Sequence, residues 1–313
     1  MELLVGSLAS DGKIAYYKDD KCLWEMDLNC PKYITTDGKY YYSYSQGNPL
    51  VLYSLEKVGD KFEVKSTLEL DETTLSHLAY SKTQNMLFCS SMDSGFMHAV
   101  NVCDGVFTGV AFSEIPGGEA PSKCHQVVLN KEENLAIVVN ILRNKVFFNE
   151  FANGKFTEKS VMFFDGDILP RHVMYSENEE VLYLVTEKSN EIIVIDYKNQ
   201  AVIGRQQINP TYIFEGAQGA TLQMDAEKRI LYVCIRGYNT ISEFKILDDF
   251  SLEFSRAYDM HGANSRHMIL TSDKKYLVCA NIDTNNFSVI DVEKGELAMD
   301  IPFVQAISAI EVK

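Results

Sequence analysis

Leu169-Pro170-Arg171-His172-Val173-Met174-Tyr175-Ser176, running on through Val181-Leu182-Tyr183-Leu184-Val185-Thr186-Glu187, is the stretch that decides the fold. It reads as a strand, a polar turn at Asn178-Glu179-Glu180, and a second strand. Arg171 and Glu187 sit outside the apolar alternation, one before the first strand and one after the second. An antiparallel pair brings those two places to the same end of a sheet.

The pattern repeats. The middle residues of the strong apolar triplets that follow polar turns are Tyr41, Leu87, Ala136, Leu182, Leu231 and Leu277, at gaps of 46, 49, 46, 49 and 46 residues. A further alternating strand follows most of them, as in Glu191-Ile192-Ile193-Val194-Ile195-Asp196 and Phe287-Ser288-Val289-Ile290-Asp291. A period in the mid-forties with about four strands per unit is the signature of a β-propeller. Six units are complete. A seventh anchor falls at Leu4, 37 residues before Tyr41, and lacks an upstream strand. The tail Ala306-Ile307-Ser308-Ala309-Ile310-Glu311-Val312 is a strand without downstream partners. Pairing the tail with the N-terminal segment completes that blade, closes the ring and protects its edges. The expectation is an all-β, seven-bladed propeller forming one domain over 1–313.

Composition narrows the function. The 313 residues are 46% hydrophobic, enough for a large core. A net charge of -15, from 29 basic and 44 acidic residues, disfavours nucleic acid and anionic membrane as partners. The seven cysteines have no CxxC spacing, and Cys89, Cys234 and Cys279 lie in apolar runs, as reduced thiols of a cytoplasmic protein do. The N-terminus has no signal-peptide pattern, and no apolar stretch is long enough to span a bilayer.

The repeat register locates the chemistry. Eleven residues before the anchors lie Cys30, Ser76, His125, Arg171, Ala220 and Arg266; five after them lie Gln46, Met92, Ile141, Glu187, Arg236 and Ile282. His125, Arg171, Glu187, Arg236 and Arg266 thus take equivalent places at the channel mouth in four consecutive units. Blade-to-blade salt bridges are one reading. Three arginines against one glutamate do not balance, however, and the surplus calls for an anion. Guanidinium suits bidentate binding of carboxylate or phosphate, and a carboxylate and an imidazole beside it are a candidate general base and acid. Other motifs carry less. His172 and His267 follow arginines, with His77 in the same register, and alternation turns them into the packing. No ligand spacing marks a metal site, and Ser122 has no Gly-x-Ser-x-Gly setting. The loop Ile115-Pro116-Gly117-Gly118-Glu119-Ala120-Pro121 lacks the Gly-Lys-Ser/Thr of a phosphate loop.

At these residues the sequence resembles the lactonase family of seven-bladed propellers. The matching pieces are Cys124-His125-Gln126-Val127-Val128-Leu129; Pro170-Arg171-His172 with Tyr183-Leu184-Val185-Thr186-Glu187; Leu231-Tyr232-Val233-Cys234-Ile235-Arg236-Gly237; and Ser265-Arg266-His267 with Ala280-Asn281. Leu4-Val5-Gly6-Ser7 looks like the family's first strand. The resemblance implies hydrolysis of a phosphorylated sugar δ-lactone, 6-phosphogluconolactone to 6-phosphogluconate. It implies that Glu187 with His125 activates water, that Arg171 and Arg236 hold the anion and the oxyanion, and that Arg266 binds substrate; Lys123, where the family has a histidine, is a cation that can serve an anionic substrate as well. It implies no cofactor and no metal, in a monomer or homodimer. Four positions depart from the family pattern: Lys123 replaces a histidine, Asn140 an aspartate, Ile235 an asparagine and Gly219 an acid. Two alternatives remain open. One is a cycloisomerase making or opening a lactone from a dicarboxylate. The other is a non-catalytic propeller binding a small anion or a partner protein, favoured by a Glu187 locked between Arg171 and Arg236 with the channel mouth closed, and disfavoured by one facing an open, polar pocket.

Overall fold

A computed structural model describes residues 1–152, 155–211 and 216–313. The described residues form strands and turns, with no helix. Seven four-stranded antiparallel sheets follow one another along the chain, the fold of a seven-bladed β-propeller. Six are built from consecutive strands within 35–70, 77–114, 124–163, 170–207, 218–259 and 265–302. The seventh joins Glu2–Ser7, Lys13–Lys18 and Lys21–Asp27 to the C-terminal strand Ala306–Glu311, in the order expected for the tail. The Val312 amide donates to the Glu2 carbonyl at 2.9 Å and continues that pairing. The chain divides into two compact units, residues 1–163 with 307–313, and residues 164–306. The first holds four sheets and the second three.

Each anchor residue lies in the second strand of its sheet, or the equivalent Glu2–Ser7, and each is buried. Strand Val181–Thr186 is buried at every position. A strand covered on both faces reads as an unbroken apolar run, which is why the triplets stand out in the sequence. The cores lie between successive sheets. Tyr42, Leu52, Leu78, Leu87 and Phe107 pack together in the first unit; Tyr183, Val185, Leu222, Val233 and Phe244 do so in the second. The tyrosine run Tyr40-Tyr41-Tyr42 is wholly buried. Its hydroxyls are paired: Tyr40 donates to Asp104 at 2.9 Å, Tyr42 donates to Asp37 at 2.6 Å, and Tyr41 accepts from the Lys313 amide at 2.9 Å.

The first strands hold one departure from regular pairing. The ladder skips a position between Cys124 and Gln126, between Pro170 and His172, and between Ser265 and His267, and is irregular between Gly219 and Leu222. The skipped residues are His125, Arg171 and Arg266, with Ala220 inside the fourth interval. The sheet whose equivalent residue is Ser76 pairs without a skip. Arg171 is therefore a bulged residue inside strand Pro170–Tyr175, not a residue preceding it. A bulge frees one residue from the alternation and re-aims its side chain.

Removal of residues 306–313 is expected to leave the Glu2–Ser7 strand as an open edge. The truncated chain should melt at a lower temperature and self-associate as concentration rises, as read by thermal unfolding and light scattering.

Candidate active site

The second unit brings three of the expected residues into contact. Glu187 follows directly on strand Val181–Thr186, and its backbone is held on both sides. Its amide donates to the Leu169 carbonyl at 2.7 Å, and its carbonyl accepts from the Gly219 amide at 3.2 Å. Leu169 takes a left-handed conformation (φ 52°) as the chain enters the bulged strand. The Glu187 carboxylate meets Arg236 Nη2 at 2.7 Å and Arg171 Nε at 3.3 Å, both through Oε2. Its side chain remains 19% exposed, and Oε1 lies outside both ion pairs.

The arginines are buried, with side chains 5% and 7% exposed for Arg171 and Arg236. Arg171 Nη1 donates to the Ala220 carbonyl, approaches His172 Nε2 at 3.3 Å and reaches the Arg266 carbonyl at 3.5 Å. Arg236 Nε is buried with no hydrogen-bond acceptor among the described residues, and the contacts of Arg236 Nη2 and Arg171 Nε with Glu187 are ion pairs without hydrogen-bond alignment. Arg266 is exposed at the start of its strand. Burial first, and the charge of Arg236 second, push Arg171 down to about 9, while Glu187 pulls the other way. Although the residue is exposed, partial desolvation of its guanidinium and then the charge of Arg236 lower Arg266. One carboxylate thus faces two buried guanidinium groups, with Arg266 within electrostatic reach, and leaves them under-compensated.

His172 is buried, with Nδ1 at 3.2 Å from Thr221 Oγ1 on the neighbouring sheet. Burial, helped by the charge of Arg171, pushes His267 down to about 4, so it is neutral at physiological pH. His125 and Lys123 belong to the first unit. His125 is buried in the bulge of strand Cys124–Leu129, and Lys123 is exposed just before that strand. Asn140 is fully buried; it donates to Ser122 Oγ at 2.7 Å and accepts from the Arg143 amide at 3.2 Å. Among the described residues, no three His, Cys, Asp or Glu side chains are grouped to hold a metal ion. Among the described residues no helix is long and apolar enough to cross a membrane.

Sequence reasoning missed two supports of Glu187. One is Leu169, for which no residue type gives a signal. The other is Gly219, noted only as a departure. A Cβ on Gly219 would stand 2.3 Å from the Thr186 carbonyl oxygen and 2.8 Å from Ile208 Cδ1. Glycine is what lets its strand approach closely enough for the amide to hold Glu187, and an acidic side chain has no room there.

The chain belongs to the family described as Lactonase, 7-bladed beta-propeller, whose model matches residues 20–312. It is similar to proteins named 6-phosphogluconolactonase. That of Bacillus subtilis (strain 168) is 24% identical, covering 94% of this chain and 93% of the relative. That of Buchnera aphidicola subsp. Acyrthosiphon pisum (strain APS) is 24% identical over 86% of each. Among solved structures, the periplasmic gluconolactonase of Pseudomonas aeruginosa has the same fold, with a TM-score of 0.85 at 17% identity over 100% of this chain and 99% of that one.

Glu187→Gln should leave Arg171 and Arg236 without their counter-charge and cost about 3 kcal/mol of stability. Added sulfate should raise the melting temperature of the variant by more than it raises that of the wild type. A second expectation follows from His267. Its folded pKa lies below the unfolded value, so its contribution is complete above about pH 6.5 and is lost as pH falls toward 4. Denaturant titrations between pH 6.5 and 5 should show falling stability, with a shallower slope in His267→Gln.

Proposed function

We propose that the chain hydrolyses an anionic sugar δ-lactone, 6-phosphogluconolactone to 6-phosphogluconate, as one seven-bladed domain. The observation that carries this reading is the Glu187 carboxylate, with Oε2 engaged by two buried arginines and a side chain that is still 19% exposed. In the proposed reaction Oε1 takes a proton from a water whose oxygen bonds to the lactone carbonyl carbon. The carbonyl oxygen becomes an oxyanion, stabilised by guanidinium N–H groups, for which Arg236 Nε is an available buried donor. Collapse breaks the bond to the ring oxygen, which leaves as a hydroxyl by taking the proton held on Glu187 Oε1 and so restores the carboxylate. Arg266, exposed beside this group, takes the phosphate. The names of the relatives support the substrate, and cysteines that are all free suit the cytoplasm.

A second reading has an observation of its own. Glu187 is bound by both Arg171 and Arg236, the arrangement that a non-catalytic anion-binding propeller would also use.

Hydrolysis of 6-phosphoglucono-δ-lactone, followed above its spontaneous rate, separates the two. The wild type should accelerate it, and Glu187→Gln should lose about 10²–10⁴-fold. Activity surviving in Glu187→Gln would move the base, with His125→Ala the next variant to assay. No acceleration by the folded wild type, together with tight phosphate binding, would favour the anion-binding reading.

A further inference from the structure

The first unit holds a second constellation of reactive groups, independent of the arginines. His98 and Ser113 are direct cross-strand partners on Met97–Cys103 and Val106–Glu114. Opposed side chains of an antiparallel pair share one face, and here His98 Nδ1 lies 2.7 Å from Ser113 Oγ. His98 Nε2 faces Glu72 Oε1 at 3.3 Å. Glu72 and His98 are both buried, whereas Ser113 is exposed on the edge strand of its sheet.

Glu72 is held as an ion. Its carboxylate accepts from Ser91 Oγ at 3.1 Å, from Ser94 Oγ, and from the Thr73 amide at 3.3 Å. Burial opposes ionisation, but the bonds from His98 and the two serines outweigh it and lower its pKa. A buried carboxylate beside Nε2 selects the tautomer with the proton on that nitrogen. Nδ1 then offers its lone pair to the hydroxyl of Ser113. Phe96 stacks on the imidazole at 5.8 Å between centroids and 19° between planes, which fixes the ring.

We propose that Ser113, His98 and Glu72 form a serine-nucleophile triad that reacts with activated carboxylic esters. The logic is that of an exposed nucleophile, a base within hydrogen-bond reach and a third group orienting the base. The ring nitrogens are used in the reverse order from the serine-protease template: Nδ1 faces the nucleophile and Nε2 the acid. In the reaction Ser113 Oγ bonds to the acyl carbon as its proton passes to His98 Nδ1. The ester C–O bond then breaks, and the leaving alcohol departs with that proton. Water repeats the sequence on the acyl-serine, releasing the acid and restoring Ser113. Glu72 is a positioning residue that holds the imidazole without touching the reacting atoms.

The test uses the full chain with an alkyl fluorophosphonate as probe, read by intact mass and peptide mapping. Attack of Ser113 Oγ on phosphorus expels fluoride and leaves one covalent adduct. The expected result is one adduct per chain, on Ser113, absent from Ser113→Ala and from heat-denatured protein. His98→Gln should slow labelling by about 10²-fold or more, and Glu72→Gln should slow it less. Ser113 is exposed, so Ser113→Ala should keep the fold and remain a fair comparison even where His98→Gln does not. No adduct on Ser113, or labelling of Ser113→Ala at the wild-type rate, would overturn the proposal. So would unchanged labelling in a folded His98→Gln.

Discussion

Burial of the second strand of every sheet on both its faces is the constraint on which the rest of this molecule depends. A strand covered on one side alone can alternate apolar and polar residues; one covered on both cannot. Val181–Thr186 is buried throughout, and the outermost strands, such as Ala201–Gln207, are largely open. The gradient from inner to outer strand gives each repeat its one strong apolar triplet. It also leaves the inner strands little tolerance for charge, so the charged side chains gather where the strands begin and end.

Charge is introduced at those ends by breaking the ladder. A side chain in register must point to one packed face or the other. A bulged residue is released from that choice, and His125, Arg171 and Arg266 occupy such positions. Glu187 needs no bulge, because it lies one residue past its strand. Its amide and carbonyl are held by Leu169 and Gly219, which removes backbone freedom from the carboxylate. Two arginines on one carboxylate oxygen leave net positive charge in a desolvated setting, where charges interact more strongly than in water.

The departures from the family pattern acquire physical content in the same way. Gly219 is dictated by the 2.3 Å separation that a Cβ would have from a backbone oxygen, so an acid there is sterically excluded. Asn140, in place of an aspartate, is fully buried and spends both ends of its amide on Ser122 and Arg143. Ile235 is buried in the apolar core around Leu231 and Phe244, a setting that suits its side chain and not an unpaired amide. Lys123 is exposed, where a cation has no desolvation to offset.

The sequence by itself determined the architecture, because doubly buried strands leave an apolar signal of fixed period and a lone C-terminal strand must find a partner. It also singled out Arg171, Glu187 and Arg236, because charges at one place in each repeat fall at one end of the sheets. Only the tertiary structure decided how those charges meet. Arg171 was legible as a charge outside the alternation, but its place within the strand required the pairing register to be seen. The role of Gly219 depends on a distance between two strands, and that of Leu169 on a backbone angle; neither is carried by residue type. Ser113, His98 and Glu72 are separated by 15 and 26 positions along the chain and fit no motif. Cross-strand register and a connecting loop bring them together, and spacing in sequence does not encode that.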